Sequence, residues 1–432
     1  MSPSSFAGNP FFLDLEELTR EGLLTQKELD AARRADPDRV DYAWLHQTRI
    51  PLLRRAWERG RVCYAQPLAE FMVEEADWLP DYALFLALRE RFGGKELKDW
   101  PDEIRLRHPS ALARYRAELA DECAFHAFLQ LLFFRQWTAV KAYANGKGIS
   151  IIGDLPIYVS PDSAEVWSRP ELFQLKEDMT PSGVAGVPPD AFSDKGQHWG
   201  NPLYDWPRHK ATGYAWWRRR LRHALTIYDV VRIDHFRGFE SYYSIPARDT
   251  TAQNGSWQPG PGMDFIGAIH AEMPGAQIIA EDLGYLTPQV KELLEGSGYP
   301  GMKVLQFAFD RREAGDYLPH NYQHNSVVYT GTHDNTTTAA WETDAHPEDV
   351  ARARAYLHAE GEPLVEGFIR AAMASVSATA IIPMQDWLGL GAEARMNVPS
   401  RPWGNWQWRL EPGALTPALA QRIAALTELY GR

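Results

Sequence analysis

Cysteine is almost absent: Cys63 and Cys123 are the only two in 432 residues. They set no metal-ligand spacing and build no disulfide framework, so a reduced, cytoplasmic protein is expected. The opening stretch MSPSSFAGNP has neither a basic region nor an apolar run, and no secretory signal is read there. No run of about twenty apolar residues is available to span a bilayer. Positive charge is also in deficit, with 45 Lys and Arg against 57 Asp and Glu, for a formal net charge of -12. A phosphate backbone or an anionic membrane surface needs a basic footprint, so neither nucleic acid nor membrane is an expected partner. A neutral substrate suits this charge better. Internal repeats, low-complexity segments and Pro/Ser linkers are missing too. The length then allows one large α/β barrel or two ordinary domains.

Aromatic residues are what the chain has in quantity: 16 Trp and 18 Tyr, with 30 Pro. Sugars stack their C–H faces on aromatic rings while carboxylates and amides hold their hydroxyls. An acidic, Trp-rich chain is compatible with that chemistry. The plainer reading, favoured by composition alone, is that large aromatics fill a large core.

The first third reads as helical. Leu112, Tyr115, Leu119, Phe125, Phe128, Leu132 and Trp137 keep helical spacing, and that helix is predicted to stop at Asn145-Gly146. Another helix is predicted from about Tyr82 to Phe92, ending at Gly93-Gly94. From residue 150 onward, short apolar runs alternate with helical patterns. The runs are Ile151-Ile152, Val230 to Ile233, Ile278-Ile279, Val304 to Phe307, Val327 to Tyr329 and Ala380 to Ile382. Strands alternating with helices predict a parallel sheet with crossover connections, of the (β/α)8 kind. Such a barrel needs eight strands, and six are found.

Several runs lead straight into acidic residues. Ile152 is followed by Asp154, Ile233 by Asp234 and Ala280 by Glu281, while Tyr329 leads through Thr330-Gly331-Thr332 to His333-Asp334. In a parallel barrel the strand C-termini meet at one face, where catalytic groups collect. One Asp after a strand is usually a helix cap; a series of them is not. Arg232 and Asp234, two apart on a strand, share a face. A guanidinium there keeps the carboxylate ionised, as a nucleophile requires, although a structural ion pair uses the same two residues. Glu281 follows a dry strand, where a carboxyl is suited to donating a proton, and its neighbour Asp282 is expected to point the other way. Retaining glycoside chemistry needs such a pair roughly 5 Å apart. His333 and Asp334 offer hydrogen bonds to sugar hydroxyls. No second His or Cys stands at metal-ligand spacing from His333, so no metal is expected. The stretch 181–206, rich in Gly, Pro and polar residues, reads as a long loop. It is read as a lid over a sugar site, with Asp190, Gln197, Trp199 and Asn201 as candidate contacts. An Ω-loop packed by its own aromatics is the alternative.

These motifs resemble the amylomaltases. GDLPIYV (153–159), VPPDAFSDKGQHWGNPLY (187–204), VRIDHFRGF (231–239), AEDLG (280–284), GMKVLQFAF (301–309), GTHDN (331–335) and WGNWQWR (403–409) carry the resemblance across nearly the whole chain. It implies a TIM-type (β/α)8 barrel of the α-amylase superfamily with helical insertions. It implies transfer of α-1,4-glucan segments between maltooligosaccharides, with no metal or cofactor. Asp234 is then the nucleophile, Glu281 the general acid/base and Asp334 the transition-state-stabilising carboxylate, with Arg232, His333 and Asp154 lining the site. Family members carry several tens of residues before the stretch that here reads SSFAGNPFFLDLEEL, and those residues supply the first two barrel strands. The expectation is therefore an incomplete barrel within a single catalytic domain spanning 1–432. Residues 10–145 form a mainly helical insertion, and 146–432 hold strands three to eight with the lid at 181–206. The same three carboxylates fit a glucan hydrolase, and six strands alone fit a non-catalytic glucan-binding remnant.

Overall fold

The computed structural model describes residues 2–33, 39–189, 193–284, 286–311, 315–399, 401 and 403–432. The N-terminal third is helical. A helix over Leu79–Arg91 is followed by Gly93 and Gly94 with φ of 67° and 80°, the left-handed stop that glycine adopts without a Cβ clash. The helix expected through 112–145 is two helices, Pro109–Glu118 and Ala120–Gly146, parted at Leu119. Apolar spacing records burial rather than backbone continuity, so it runs through the break unmarked. Among the described residues no helix is long and apolar enough to cross a membrane.

The strands are β1 (Ile152–Pro156), β2 (Gly183–Val187), β3 (Gln197–Pro202), β4 (Val230–Asp234), β5 (Ser241–Pro246), β6 (Ser256–Pro259), β7 (Ile278–Ala280), β8 (Gly301–Val304), β9 (Ser326–Tyr329) and β10 (Thr379–Ile381). The protein is α/β. Its parallel strands follow the order β1-β4-β7-β8-β9-β10, and each of the six predicted apolar runs falls on or beside one of them. The run at 304–307 is displaced: the strand is Gly301–Val304, and Leu305–Phe307 is a single 3-10 turn. A short buried apolar run looks alike in either conformation, and Gly301 hides the start of the strand.

By its contacts the chain forms two compact units, and a boundary between them falls inside β7. The first comprises Met1–Arg33, Ala43–Ile278 and Leu286–Ser297. It contains the long helices together with β1 and β4, which pair in parallel with Asp154 opposite Arg232 and Pro156 opposite Asp234. It also contains a four-stranded antiparallel sheet in the order β3-β2-β5-β6. Residues 181–206, expected as a continuous loop, thus contribute two paired strands. Glycines concealed them: a Cβ on Gly186 would lie 2.1 Å from the Gln197 carbonyl oxygen across the pair, so this close approach requires glycine. Eight of the 16 tryptophans are buried. In the first unit Trp217, Phe239 and Phe265 interlock, with the two phenylalanine rings stacked 4.4 Å apart. Core filling therefore accounts for much of the aromatic excess.

The second unit comprises Arg34–Tyr42, Ile279–Tyr285 and Gly298–Arg432. Here the end of β7, β8, β9 and β10 pair in parallel. Strand β9 is buried at all four residues, as a strand covered on both faces is. Leu305, Phe309, Val328 and Phe368 form the core of this unit.

Candidate active site

In the first unit the β1–β4 register brings two carboxylates to one guanidinium. Arg232, only 8% exposed, reaches Asp154 Oδ1 with Nη1 at 2.5 Å and Asp234 Oδ1 with Nη2 at 3.3 Å. Both carboxylate side chains are about two-fifths exposed. The chain therefore holds a buried cation against two carboxylates that face solvent. The sequence pointed to the Arg232–Asp234 pair; the closer contact to Asp154 comes from the neighbouring strand.

Directly after β4, His235 takes a left-handed backbone with φ 55°, uncommon for a residue with a Cβ and favoured at sites under constraint. The residue is half-buried, and desolvation, reinforced by the Arg237 charge, holds its pKa down to about 3. The following turn presses so closely on β1's exit that a Cβ on Gly238 would stand 2.7 Å from Ile157 Cδ1. Trp199, on β3, sets its ring edge-to-face on His235, with centroids 4.8 Å apart, and lies 6.2 Å from the Tyr158 ring. Trp199 Nε1 donates to Gln197 Oε1 at 3.1 Å. Asn201 donates from Nδ2 to the Val159 carbonyl at 2.8 Å, so part of its amide braces the loop after β1. The structure thus groups Trp199 with the β4 end. Asp190 lies outside the described residues.

In the second unit Glu281 and Asp282 leave the end of β7 with different partners. Asp282 is 3% exposed and accepts from Met302 N at 2.6 Å. A Cβ on Gly301 would meet its carboxylate at 2.8 Å, which ties the AEDLG motif to the GMKV motif. Glu281 is half-buried, and its Oε1 accepts from Leu283 N at 3.1 Å.

After β9, Asn335 Oδ1 accepts from both the backbone N and the Oγ1 of Thr332, at 2.9 and 2.8 Å. That turn presents His333 and Asp334 side by side, with His333 Nε2 3.6 Å from Asp334 Oδ2. Its base is anchored by Asp386, which is 2% exposed and accepts from Thr330 Oγ1, Thr338 N and Thr338 Oγ1 at 2.5 to 2.8 Å. Burial pushes the Asp386 carboxyl up while these donors pull it back.

Sequence reasoning missed a strap over this turn. Asn397 donates from Nδ2 to Asp334 Oδ1 at 2.6 Å, and its backbone N donates to the His333 carbonyl at 3.0 Å. Arg395 Nη2 donates to the Asp334 carbonyl at 2.7 Å. A cavity of about 110 Å³ beside His333 is lined by Thr332, Asn335, Gln385 and Arg395, among others. Nothing local in GAEARMNVPS signals this role; only the neighbouring WGNWQWR motif drew notice. Among the described residues no group of three or more His, Cys, Asp or Glu side chains is arranged to hold a metal ion.

Comparison with known proteins settles the family. A family model described as 4-alpha-glucanotransferase matches residues 1–416. The chain belongs to that family. The 4-alpha-glucanotransferase of Thermus thermophilus is 47% identical over 99% of this chain and 87% of its own length. That of Synechocystis is 46% identical over 99% and 86%. Among solved structures, an amylomaltase from Streptococcus agalactiae, in complex with acarbose, superposes with a TM-score of 0.96 at 41% identity, covering all of this chain and 88% of that one. As a member of the 4-alpha-glucanotransferase family the chain is a glycosyltransferase of glucan metabolism, as its motifs implied.

Proposed function

We propose that this 4-alpha-glucanotransferase moves α-1,4-glucan segments between maltooligosaccharides by retaining double displacement, with Asp234 as nucleophile. In the first step the Asp234 carboxylate attacks the anomeric carbon of the donor. Glu281 gives its proton to the departing glycosidic oxygen, and a covalent glucosyl ester remains. In the second, Glu281 takes the proton of an acceptor hydroxyl, the acceptor oxygen displaces Asp234, and the original anomeric configuration returns. Asp334 stabilises the positive charge that develops on the sugar ring, and Asn397 orients it. Arg232 keeps Asp234 charged and aimed; His333 and Asp154 hold hydroxyls of the sugar at the broken linkage.

The observation that carries these roles is the placement of Asp234 at the end of β4 against the buried Arg232 guanidinium. Glu281 and Asp334 follow the ends of β7 and β9 in the same way, as catalytic groups of a parallel barrel do. We read the six parallel strands as strands three to eight of a (β/α)8 barrel of the α-amylase superfamily, with 10–145 as a helical insertion. The stretch 181–206, bearing Asp190, Gln197, Trp199 and Asn201, is read as the lid that favours an acceptor sugar over water. A cytoplasmic location accords with the free thiols of Cys63 and Cys123.

The test is chromatography of the products from maltotriose. A transferase makes glucose and a ladder of longer glucans, and Asp234→Asn abolishes the ladder while leaving the thermal unfolding midpoint in place. Accumulation of shorter sugars alone would make the chain a hydrolase, and full activity in Asp234→Asn would remove the nucleophile assignment.

A further inference from the structure

Trp406 is held in a conformation that local preference opposes. Its φ is 57°, a left-handed value that a bulky side chain adopts only where its surroundings over-determine it. Those surroundings are explicit in the second unit. Trp406 N donates to the Met396 carbonyl at 2.7 Å, and Tyr42 Oη donates to the Trp406 carbonyl at 2.6 Å. The next residue is fixed as well, with Val40 N donating to the Gln407 carbonyl at 2.6 Å. On the other side Asn405 accepts from Val398 N at 3.0 Å and donates to the Arg401 carbonyl at 2.8 Å.

This bracing does not bury the ring. Trp406 is 46% exposed, and its ring centroid lies 5.1 Å from that of His333 at a tilt of 39°. The strap that ends in Trp406 is the one whose Asn397 and Arg395 grip Asp334. A strained, doubly hydrogen-bonded backbone that presents a half-open indole beside a sugar-contacting histidine has no purpose in core packing. It fits a platform: a flat apolar ring rimmed by polar groups takes the C–H face of a pyranose while the rim takes its hydroxyls.

We propose that the Trp406 ring binds a glucosyl residue of the α-1,4-glucan, adjoining the sugar held by His333. This rests on the glucanotransferase reading above and adds a subsite and a residue to it. Because the sugar it takes neighbours the one undergoing reaction and is not itself attacked, the ring contributes binding in the ground state and transition state alike. Its loss therefore raises KM rather than lowering kcat.

The experiment uses Trp406→Gly, which removes the ring and relieves the left-handed strain, and Trp406→Phe, which keeps a ring. Calorimetry with maltoheptaose in an Asp234→Asn background reads binding without turnover. Trp406→Gly is expected to weaken Kd about tenfold and Trp406→Phe to recover most of it. In the otherwise unaltered enzyme, KM for maltotriose rises with Trp406→Gly while kcat falls less than twofold and its pH profile stays in place. A Kd within twofold of the parent overturns the proposal. So does a loss of kcat with a lower unfolding midpoint and unchanged KM, which marks a merely structural tryptophan. Failure of the glucanotransferase reading itself looks different: the unaltered chain makes no ladder, whatever Trp406→Gly does to binding.

Discussion

Asn397→Ala removes one hydrogen bond, and its consequence follows from the geometry. The Asn397 amide meets Asp334 Oδ1 at 2.6 Å, and the Asp334 side chain is 39% exposed. Hydrogen bonds to charged groups contribute about 1.5–3 kcal/mol, and exposure places this one near the low end, about 1.5 kcal/mol. If Asp334 acts only as charge develops on the sugar, that loss falls on the transition state. The expected result is a roughly tenfold drop in kcat and in kcat/KM alike, with KM nearly constant. The fold is spared, because the Asn397 backbone N still donates to the His333 carbonyl and the Thr332–Asn335 turn is untouched. In a chain of this size the unfolding midpoint then moves by less than about 2 °C. Asn397→Asp is the harsher change: it sets a second carboxylate against Asp334 in place of a donor, and kcat falls by about a hundredfold or more at neutral pH. Initial rates of glucose release from maltotriose, with thermal unfolding of each variant, read both quantities. Asn397→Ala with kcat within twofold of the parent, or Asn397→Asp no slower than Asn397→Ala, would refute the positioning of Asp334 by this amide.

Arg232→Met leaves Asp154 and Asp234 without their shared cation; turnover is expected to fall by about a hundredfold, with partial restoration by added guanidinium ion, and an absence of both effects counts against Arg232 as the guardian of the nucleophile. Gly301→Ala forces a Cβ to within 2.8 Å of the buried Asp282 carboxylate, and chemical denaturation should show a loss of about 1–3 kcal/mol. His209 is buried and His235 half-buried, and their pKa values are held down to about 4 and about 3, chiefly by desolvation. Unfolding lets each take up a proton near its ordinary pKa of about 6.5. Their stabilisation is thus complete above that pH and is lost as pH falls from about 6.5 toward 4 and 3. His235→Asn, which tolerates the left-handed backbone, should reduce the slope of stability against pH in that window by about 1.4 kcal/mol per pH unit.

What the sequence disclosed and what it withheld follow from the kind of signal each feature leaves. All six apolar runs overlap their strands, that at 304–307 only through Val304, and β7 and β9, buried throughout, write the unbroken apolar record of a strand covered on both faces. Strands β2 and β8 left a fainter one. Gly183 and Gly186 in β2 and Gly301 in β8 answer to close contacts with Gln197, Ser244 and Asp282, and a glycine chosen for a tertiary contact looks locally like a turn. Acidic residues at strand ends could be found by position, since a strand's exit is marked by where its apolar run stops. Asn397 and Arg395 could not. They reach Asp334 across about sixty residues of chain, and no periodicity joins the two segments. Asp154 was legible as a carboxylate, while its bond to Arg232 needed the β1–β4 register, which only pairing supplies.

The motifs that carry the family resemblance are each part chemistry and part carpentry, and the structure separates the two. In AEDLG, Glu281 is the half-open carboxyl, and Asp282 beside it is buried and bonded to Met302. In VRIDHFRGF, Asp234 meets solvent, while Gly238 is required by the approach of Ile157. In GTHDN, Asn335 builds the turn that displays His333 and Asp334. Gly331 admits the Gln306 amide, which is 2.6 Å from where a Cβ would stand. The supporting residue thus sits within a few positions of the reactive one in each case, and it is the more buried or the more sterically confined of the two. On the roles proposed above, a substitution at the supporting position is expected to act through stability and geometry, and one at the exposed carboxyl on turnover with the fold intact. WGNWQWR fits the same division: Asn405 braces the turn, and the Trp406 indole is the half-exposed group proposed above to meet the sugar.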